Sequence, residues 1–258
     1  MSYLKSTIME TYAITLFIIL MILEIISSIL FHKGNYSFKE SLENIATGII
    51  SLVFDYGFSF MSLPLLLFLY KNYSLFNMEK GVFYYCAAFI VLDLTEYWFH
   101  RLSHRIPLMW TGHKVHHQSQ YFNLSVGLRT SVLIPFFNIG FYCILPLLGF
   151  DPHDIITFIF VQGVYQLFIH TEAIPRLGFI DRILVTPSVH RVHHGKNDCY
   201  LDKNFGKIFV IWDILFKSYA KEEEKVIYGA TDSEGEEGIV KCQIVPVKKW
   251  LKKKIRKF

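Results

Sequence analysis

The sequence predicts an all-α integral-membrane bundle of four to five transmembrane helices, with a histidine-rich helical cap on the cytoplasmic side. Three observations carry that expectation. Five apolar stretches are long enough, or nearly so, to cross the roughly 30 Å hydrocarbon core of a bilayer. Only 19% of the 258 residues are charged and 52% are hydrophobic, with 24 Phe and 15 Tyr, against about a quarter charged in a soluble globule. The histidines also recur at spacings of three and four residues, the period that returns a side chain to the same face of a helix.

The first stretch, residues 11–31 (TYAITLFIILMILEIISSILF), is followed by no small-residue cleavage site, so it reads as a retained helix rather than a removed leader. Glu24 inside it is assigned no chemistry. His32, in the polar loop that follows, reads as an interfacial residue and not as a ligand. Residues 45–70 form the second stretch, which Gly48, Asp55, Gly57 and Pro64 predict to be kinked or tilted. Residues 82–99 form the third. At about 100° per residue, Asp93, Glu96, His100 and His104 fall on one polar stripe, and ionisable groups at membrane depth face a polar interior or a partner. Residues 131–150 and 154–170 form the fourth and fifth, joined by a turn at Asp151, Pro152 and His153, with His153 a turn residue and no ligand. Gln162, Gln166 and His170 repeat the polar stripe at i, i+4 and i+8.

Read as a hairpin, residues 131–170 return the chain to the membrane face it left. Every histidine cluster then lies on one side. Residues 101–130 carry Arg101, Arg105, Lys114 and Arg129 and no acid, which places that side in the cytoplasm by the positive-inside rule. From about Pro175 the chain is more polar and forms the cap. Residues 222–237 hold seven acids and one Lys, and 241–258 hold eight Lys or Arg and no acid. The former reads as a solvated loop, the latter as a basic end that adheres to an anionic membrane surface. No other basic face exists, which excludes nucleic acid as a partner. The expected organisation is residues 1–80 as N-terminal transmembrane helices, 81–220 as the histidine-bearing domain, and 221–258 as acidic loop and basic tail. The four cysteines, Cys86, Cys143, Cys199 and Cys242, form no CxxC pair and read as apolar filler.

The chemistry is expected at the histidines. His100 and His104 form one cluster, His113, His116 and His117 a second, His190, His193 and His194 a third, and His170 stands between the last two. Imidazole suits iron, zinc and copper. Three histidines satisfy one catalytic zinc, whereas eight or nine suit two ions of three to five ligands each. The chain has no HExxH, GxSxG, phosphate-cradling loop or GxGxxG. It also lacks the Glu-x-x-His pairs of the soluble di-iron carboxylate proteins.

DLTEYWFHRLSH at 93–104, HKVHH at 113–117, TPSVHRVHH at 186–194 and DKNFGKIFVIWDILF at 202–216 resemble the fatty acid hydroxylase / sterol desaturase superfamily of membrane di-iron oxygenases. Within it the fullest likeness is to the alkylglycerol monooxygenase group and its bacterial relatives, carried by YFNLSVGLRTSV at 121–132, YQLFIHTEAI at 165–174, HRVHHGKNDCYLDKNFG at 190–206 and VIYG at 226–229. One departure is Arg105, where ether-cleaving members tend to carry an acid. The resemblance implies a metal set of His100, His104, His113, His116, His117, His190, His193 and His194, with His170 as a ninth histidine beside it. It makes Asp93, Glu96, Asn123, Glu172, Asn204 and Asp213 candidates to orient the imidazoles by accepting their outer N–H groups. It further implies two iron ions, O2 as co-substrate, and hydroxylation of a lipid C–H bond, with desaturation as second choice. Electrons would come from an external donor: a reductase, ferredoxin, cytochrome or pterin. Lipid substrate and membrane lipids are the expected partners. The bacterial inner membrane is the expected location, with the endoplasmic reticulum as alternative. A zinc-dependent membrane lipid hydrolase using the same histidines is the alternative function.

Overall fold

The computed structural model describes residues 2–31 and 34–255. His32 and the last three residues of the basic tail lie outside the described residues. The described chain is helical throughout, with a single isolated antiparallel bridge, Leu184 to Phe209.

Helix α1 spans Ser2–Leu30 and α2 spans Phe38–Tyr73. Ser37 caps α2 by accepting the Glu40 N–H, satisfying one of the donors a helix N-terminus leaves open. At about 1.5 Å per residue α2 is on the order of 54 Å long, longer than the hydrocarbon core. It runs as one helix through Gly48, Gly57 and Pro64. Helix α3 spans Val82–Arg105, and α4 (Pro107–His117) follows after Ile106. Pro107 sits in the first turn of α4, where its missing N–H costs nothing. Helices α1 (over Thr11–Leu30), α2 and α3 are each long and apolar enough to cross a membrane. This is a membrane protein.

The expected fourth stretch is divided, and the fifth keeps its expected length. Residues 131–150 break into α5 (Ile134–Tyr142) and α6 (Ile144–Leu147), and α7 runs Pro152–Phe168. Pro135 begins α5, and Pro146, which can donate no helical bond, lies in the one-turn α6. Three helices thus meet the length and composition of a span among the described residues, with α5–α7 a hairpin of shorter apolar helices packed against them. Tyr84, Ala88 and Leu92 of α3 pack with Leu145, Phe150 and Ile155 to close the hairpin on α3. At the far end Lys80 pairs with Asp151 and Asp154, both at 2.8 Å. Asp151 also caps α7 through the His153 N–H, leaving His153 exposed, as a turn residue should be.

The cap consists of α8 (Pro187–His193), α9 (Ile211–Leu215), α10 (Lys241–Ile255) and connecting loops. Its small core is Ile169, Val185, Val189 and Val210, with a satellite of Val192, Tyr200 and Val226. The acidic stretch is not wholly solvated. Glu236 is buried and accepts from Lys114, Lys249 and Gln118. A buried carboxylate needs such partners, and they fasten α10 to α4, burying Cys242 and Pro246.

Candidate metal centre

Nine imidazoles converge where the end of α3, α4, the segment after α7, and α8 meet. They form two groups. His100, His104, His113, His117 and His193 make one; His116, His170, His190 and His194 make the other. Within each, one nitrogen per ring lies within 4.8 Å of all the rest. The four-residue spacings place His100 with His104 and His113 with His117 on single faces of α3 and α4. His116, about 60° around α4 from His113, joins the second group. His190 and His194 lie one turn apart, while His193 points into the first group.

Backbone carbonyls aim four of the rings. The Nδ1 atoms of His100, His116, His170 and His193 donate to the carbonyls of Phe205 (2.9 Å), Arg129 (2.8 Å), Gln166 (2.7 Å) and Lys203 (3.0 Å). A carbonyl only accepts, so each of these rings carries its proton on Nδ1 and presents a bare Nε2 lone pair. His116 and His170 face each other through Nε2 at 3.1 Å. Neither nitrogen has a proton to share, so the pair is repulsive unless a cation lies beside both. The Nε2 atoms of His100 and His113 (2.9 Å), His117 and His113 (3.1 Å), His193 and His117 (3.1 Å), His190 and His170 (2.9 Å) and His194 and His190 (3.1 Å) repeat that spacing. Nitrogens bonded at about 2.1 Å to one ion at right angles lie roughly 3 Å apart. His104 Nε2 is buried without a hydrogen-bond partner among the described residues. These residues fit metal ions.

Burial keeps the rings neutral. Desolvation pushes His113, His117, His170, His190, His193 and His194 well below the ordinary histidine range, and the neighbouring imidazoles add to it. His116 is lowered to about 4, again chiefly by desolvation. Neutral imidazole is the ligating form.

The six polar residues expected behind the imidazoles take other partners. Asp93 accepts from the backbone N–H of Ile208 and Phe209 and from the Trp212 indole. Asp213 accepts from Phe205 N, Gly206 N and the Ser218 hydroxyl. Asn204 bridges Val189 O, Ala220 O and Ala220 N. Asn123 caps the 3-10 turn Leu124–Leu128 and donates to Asn35 O. Glu172 accepts from Tyr228. Glu96 pairs with Lys207 at 2.8 Å and accepts from Tyr142. The outer N–H groups of His100 and His193 go instead to carbonyls of the loop at 203–205, which Asp213 holds, and those of His116 and His170 go to Arg129 O and Gln166 O. Asp93 and Asp213 therefore act one step further out than expected.

Three residues not assigned to the site from the sequence hold the same frame. Arg129 donates to Val115 O, Asn44 and Gln118, fixing the carbonyl that aims His116. Glu24 accepts from Tyr36, Leu124 N and Thr171, tying α1 to the segment after His170. Lys207 neutralises Glu96. A lone acid in an apolar run was the only visible signal for Glu24.

A cavity of about 210 Å³ touches both histidine groups, lined by His100, His113, His116, His170 and His190 with Glu96 and Phe99. Gly127, Thr130, Ile134 and Asn138 also line a groove of about 410 Å³ against α2 at Ile45, Ile49 and Leu52. A third opening, of about 250 Å³, reaches His104, His117, His193 and His194 past Trp110, Lys196 and Asp202.

Residues 85–218 match the fatty acid hydroxylase family, a span that holds all nine histidines. The chain belongs to the fatty acid hydroxylase family. Among its relatives, alkylglycerol monooxygenase of Homo sapiens is 40% identical over 219 residues, covering 83% of this chain and 48% of the relative. The Danio rerio alkylglycerol monooxygenase is 37% identical over the same shares. Ornithine lipid hydroxylase OlsE of Rhizobium tropici is 31% identical over 50% of this chain and 40% of its own length. The chain spans about half the length of the curated alkylglycerol monooxygenases it matches. No solved structure matches it. As a family member it presents its histidines as two potential metal sites, each built from more than one helix.

Proposed function

We propose that the protein is a membrane lipid hydroxylase that holds two iron ions, one in each histidine group, and uses O2 to hydroxylate a C–H bond of a lipid. The observation that carries this reading is the contact of one cavity with both groups, together with its continuity with the groove along α2. Hydroxylase and monooxygenase relatives support it and do not favour a zinc hydrolase.

Bound iron would supply the activation of O2 and the oxidation of the C–H bond. The chain's own residues do the rest. The groove along α2 admits an apolar chain from the bilayer, and Phe99 and Ile134 wall the inner cavity against water. Glu96 keeps a carboxylate beside an otherwise neutral ligand set, with Lys207 and Tyr142 holding it in place. The opening past Trp110 and Lys196 lies at the other side of the centre. It gives an external reductant a route that the lipid does not occupy. Arg101 and Arg105, at the histidine end of α3, favour a cytoplasmic position for that end, in a bacterial inner membrane or the endoplasmic reticulum.

The test is turnover by purified protein loaded with ferrous iron. Lipid extracts from cells with and without the chain identify the substrate. The expected product carries one added oxygen, forms only with O2, and disappears in His193→Ala and His116→Ala. Turnover with zinc in the absence of O2 would refute the reading.

A further inference from the structure

The cap does not stand clear of the membrane. Residues 208–216 run along α3, a membrane-spanning candidate. Phe209 packs on Phe89 with ring centroids 6.2 Å apart, Asp93 takes the Ile208 and Phe209 N–H groups, Phe216 stacks on Tyr97 at 5.4 Å, and Arg101 donates to Phe216 O. Twelve residues of α3 separate Phe89 from Arg101, on the order of 18 Å. Phe209 therefore lies alongside the apolar part of α3 and not at its histidine end. The chain at 183–185 is tied to the same level, through Val210 N to Ile183 O at 3.0 Å and Val185 N to Ile208 O at 2.8 Å.

The outer side of this doubled segment is apolar and exposed. Phe179 is 75% exposed, Ile211 56% and Leu215 62%, with Ile180, Ile183 and Ile214 among them. Bare apolar surface of this extent beside a membrane helix belongs in lipid. Beside it lies a cavity of about 320 Å³ whose lining includes Arg176, Arg182 and Lys221. None of these three side chains has a hydrogen bond or ion pair among the described residues. The two acids of the cavity are committed elsewhere. Asp181 accepts from Leu177 N, Gly178 N and Thr186, and Glu222 is paired with Arg191 at 2.7 Å. Three unneutralised cations around one cavity, at the edge of an apolar surface, match the phosphate of a membrane lipid.

We propose that this cavity binds the phosphate of an anionic lipid, with the apolar edge at 179–183 and 211–215 sunk in the acyl region beside it. The lipid seats the cap on the bilayer. The site is separate from the metal centre, and its occupation does not depend on catalysis.

The probe is phosphatidylglycerol titrated into the full chain in a neutral detergent, followed by native mass spectrometry, with inorganic phosphate in a parallel titration. The wild type should bind one phosphatidylglycerol tightly. The combined change Arg176→Gln, Arg182→Gln, Lys221→Gln should weaken that binding at least tenfold. Lys71→Gln, in the last turn of α2 and away from the cap, should leave it unchanged. If the triple variant does not purify as a folded protein, each single change should weaken binding about threefold. Undiminished binding by the triple variant, or by all three single variants, would overturn the proposal. Inorganic phosphate binding as tightly as the lipid and with the same dependence on these residues would overturn the lipid assignment in favour of a soluble phosphate ligand.

Discussion

Four imidazoles of the centre owe their direction to backbone carbonyls, and those carbonyls to groups that carry no chemistry of their own. Arg129 and Glu236 make the case most clearly. Glu236 holds buried Lys114 and also accepts from Gln118, which in turn accepts from Arg129, whose carbonyl aims His116. Removing one partner of a buried ion pair leaves a charge without compensation, at a cost of about 3–5 kcal/mol. Glu236→Ala should therefore lower stability by about 3 kcal/mol, read as a fall in the thermal midpoint in detergent. An unchanged midpoint would mean that Lys114 reaches water. The nine ligand candidates were legible because helical spacing sets their faces, and the resemblance covers the same residues. The roles of Asp93 and Asp213 were legible only as polar positions. Their partners, the N–H groups of 205–209, lie over a hundred residues from Asp93, and no spacing connects them.

At the scale of elements, α2 and the 3-10 turn Leu124–Leu128 decide how close the groove wall comes to the centre. A Cβ on Gly48 would meet Leu128 O at 2.5 Å, whereas one on Gly57, further along the same helix, would meet nothing within 4 Å. Gly48→Ala should cost about 1–3 kcal/mol through overpacking and push the turn away from His170. Gly57→Ala should be neutral or stabilising by about 0.5–1 kcal/mol, since alanine is the better helix former. Thermal midpoints of the two variants in the same detergent separate these outcomes, and equal losses would contradict the close approach. The first three apolar runs were legible as spans because length and hydropathy alone define one. The fourth was legible only in outline, because Pro135 and Pro146 divide it into α5 and α6, while the fifth, α7, has its expected length and packs on α3. The acidic run at 222–237 was misread where it mattered most. Composition cannot single out Glu236 as the acid that α4 and α10 enclose.

For the whole molecule, the hairpin at 134–168 brings His170 back to the level of His100 and His104, so segments seventy residues apart in sequence build one centre. Lys114 and Arg129 are buried and serve the frame rather than the membrane surface. Orientation therefore rests on Arg101, Arg105 and the α10 lysines. Cys199 is exposed in the cap and reports it. In a Cys86→Ser background, a membrane-impermeant maleimide should label Cys199 from the cytoplasmic side of oriented vesicles and not from the other, and the reverse would invert the topology.

The most direct test of the two-centre account is the iron content of the purified chain and of two variants, each lacking a ligand from one group. The wild type should hold two irons per chain, and His193→Ala and His190→Ala should each hold about one while losing O2-dependent turnover. A wild type that binds a single ion, or a variant that keeps both irons and full turnover, would contradict the account.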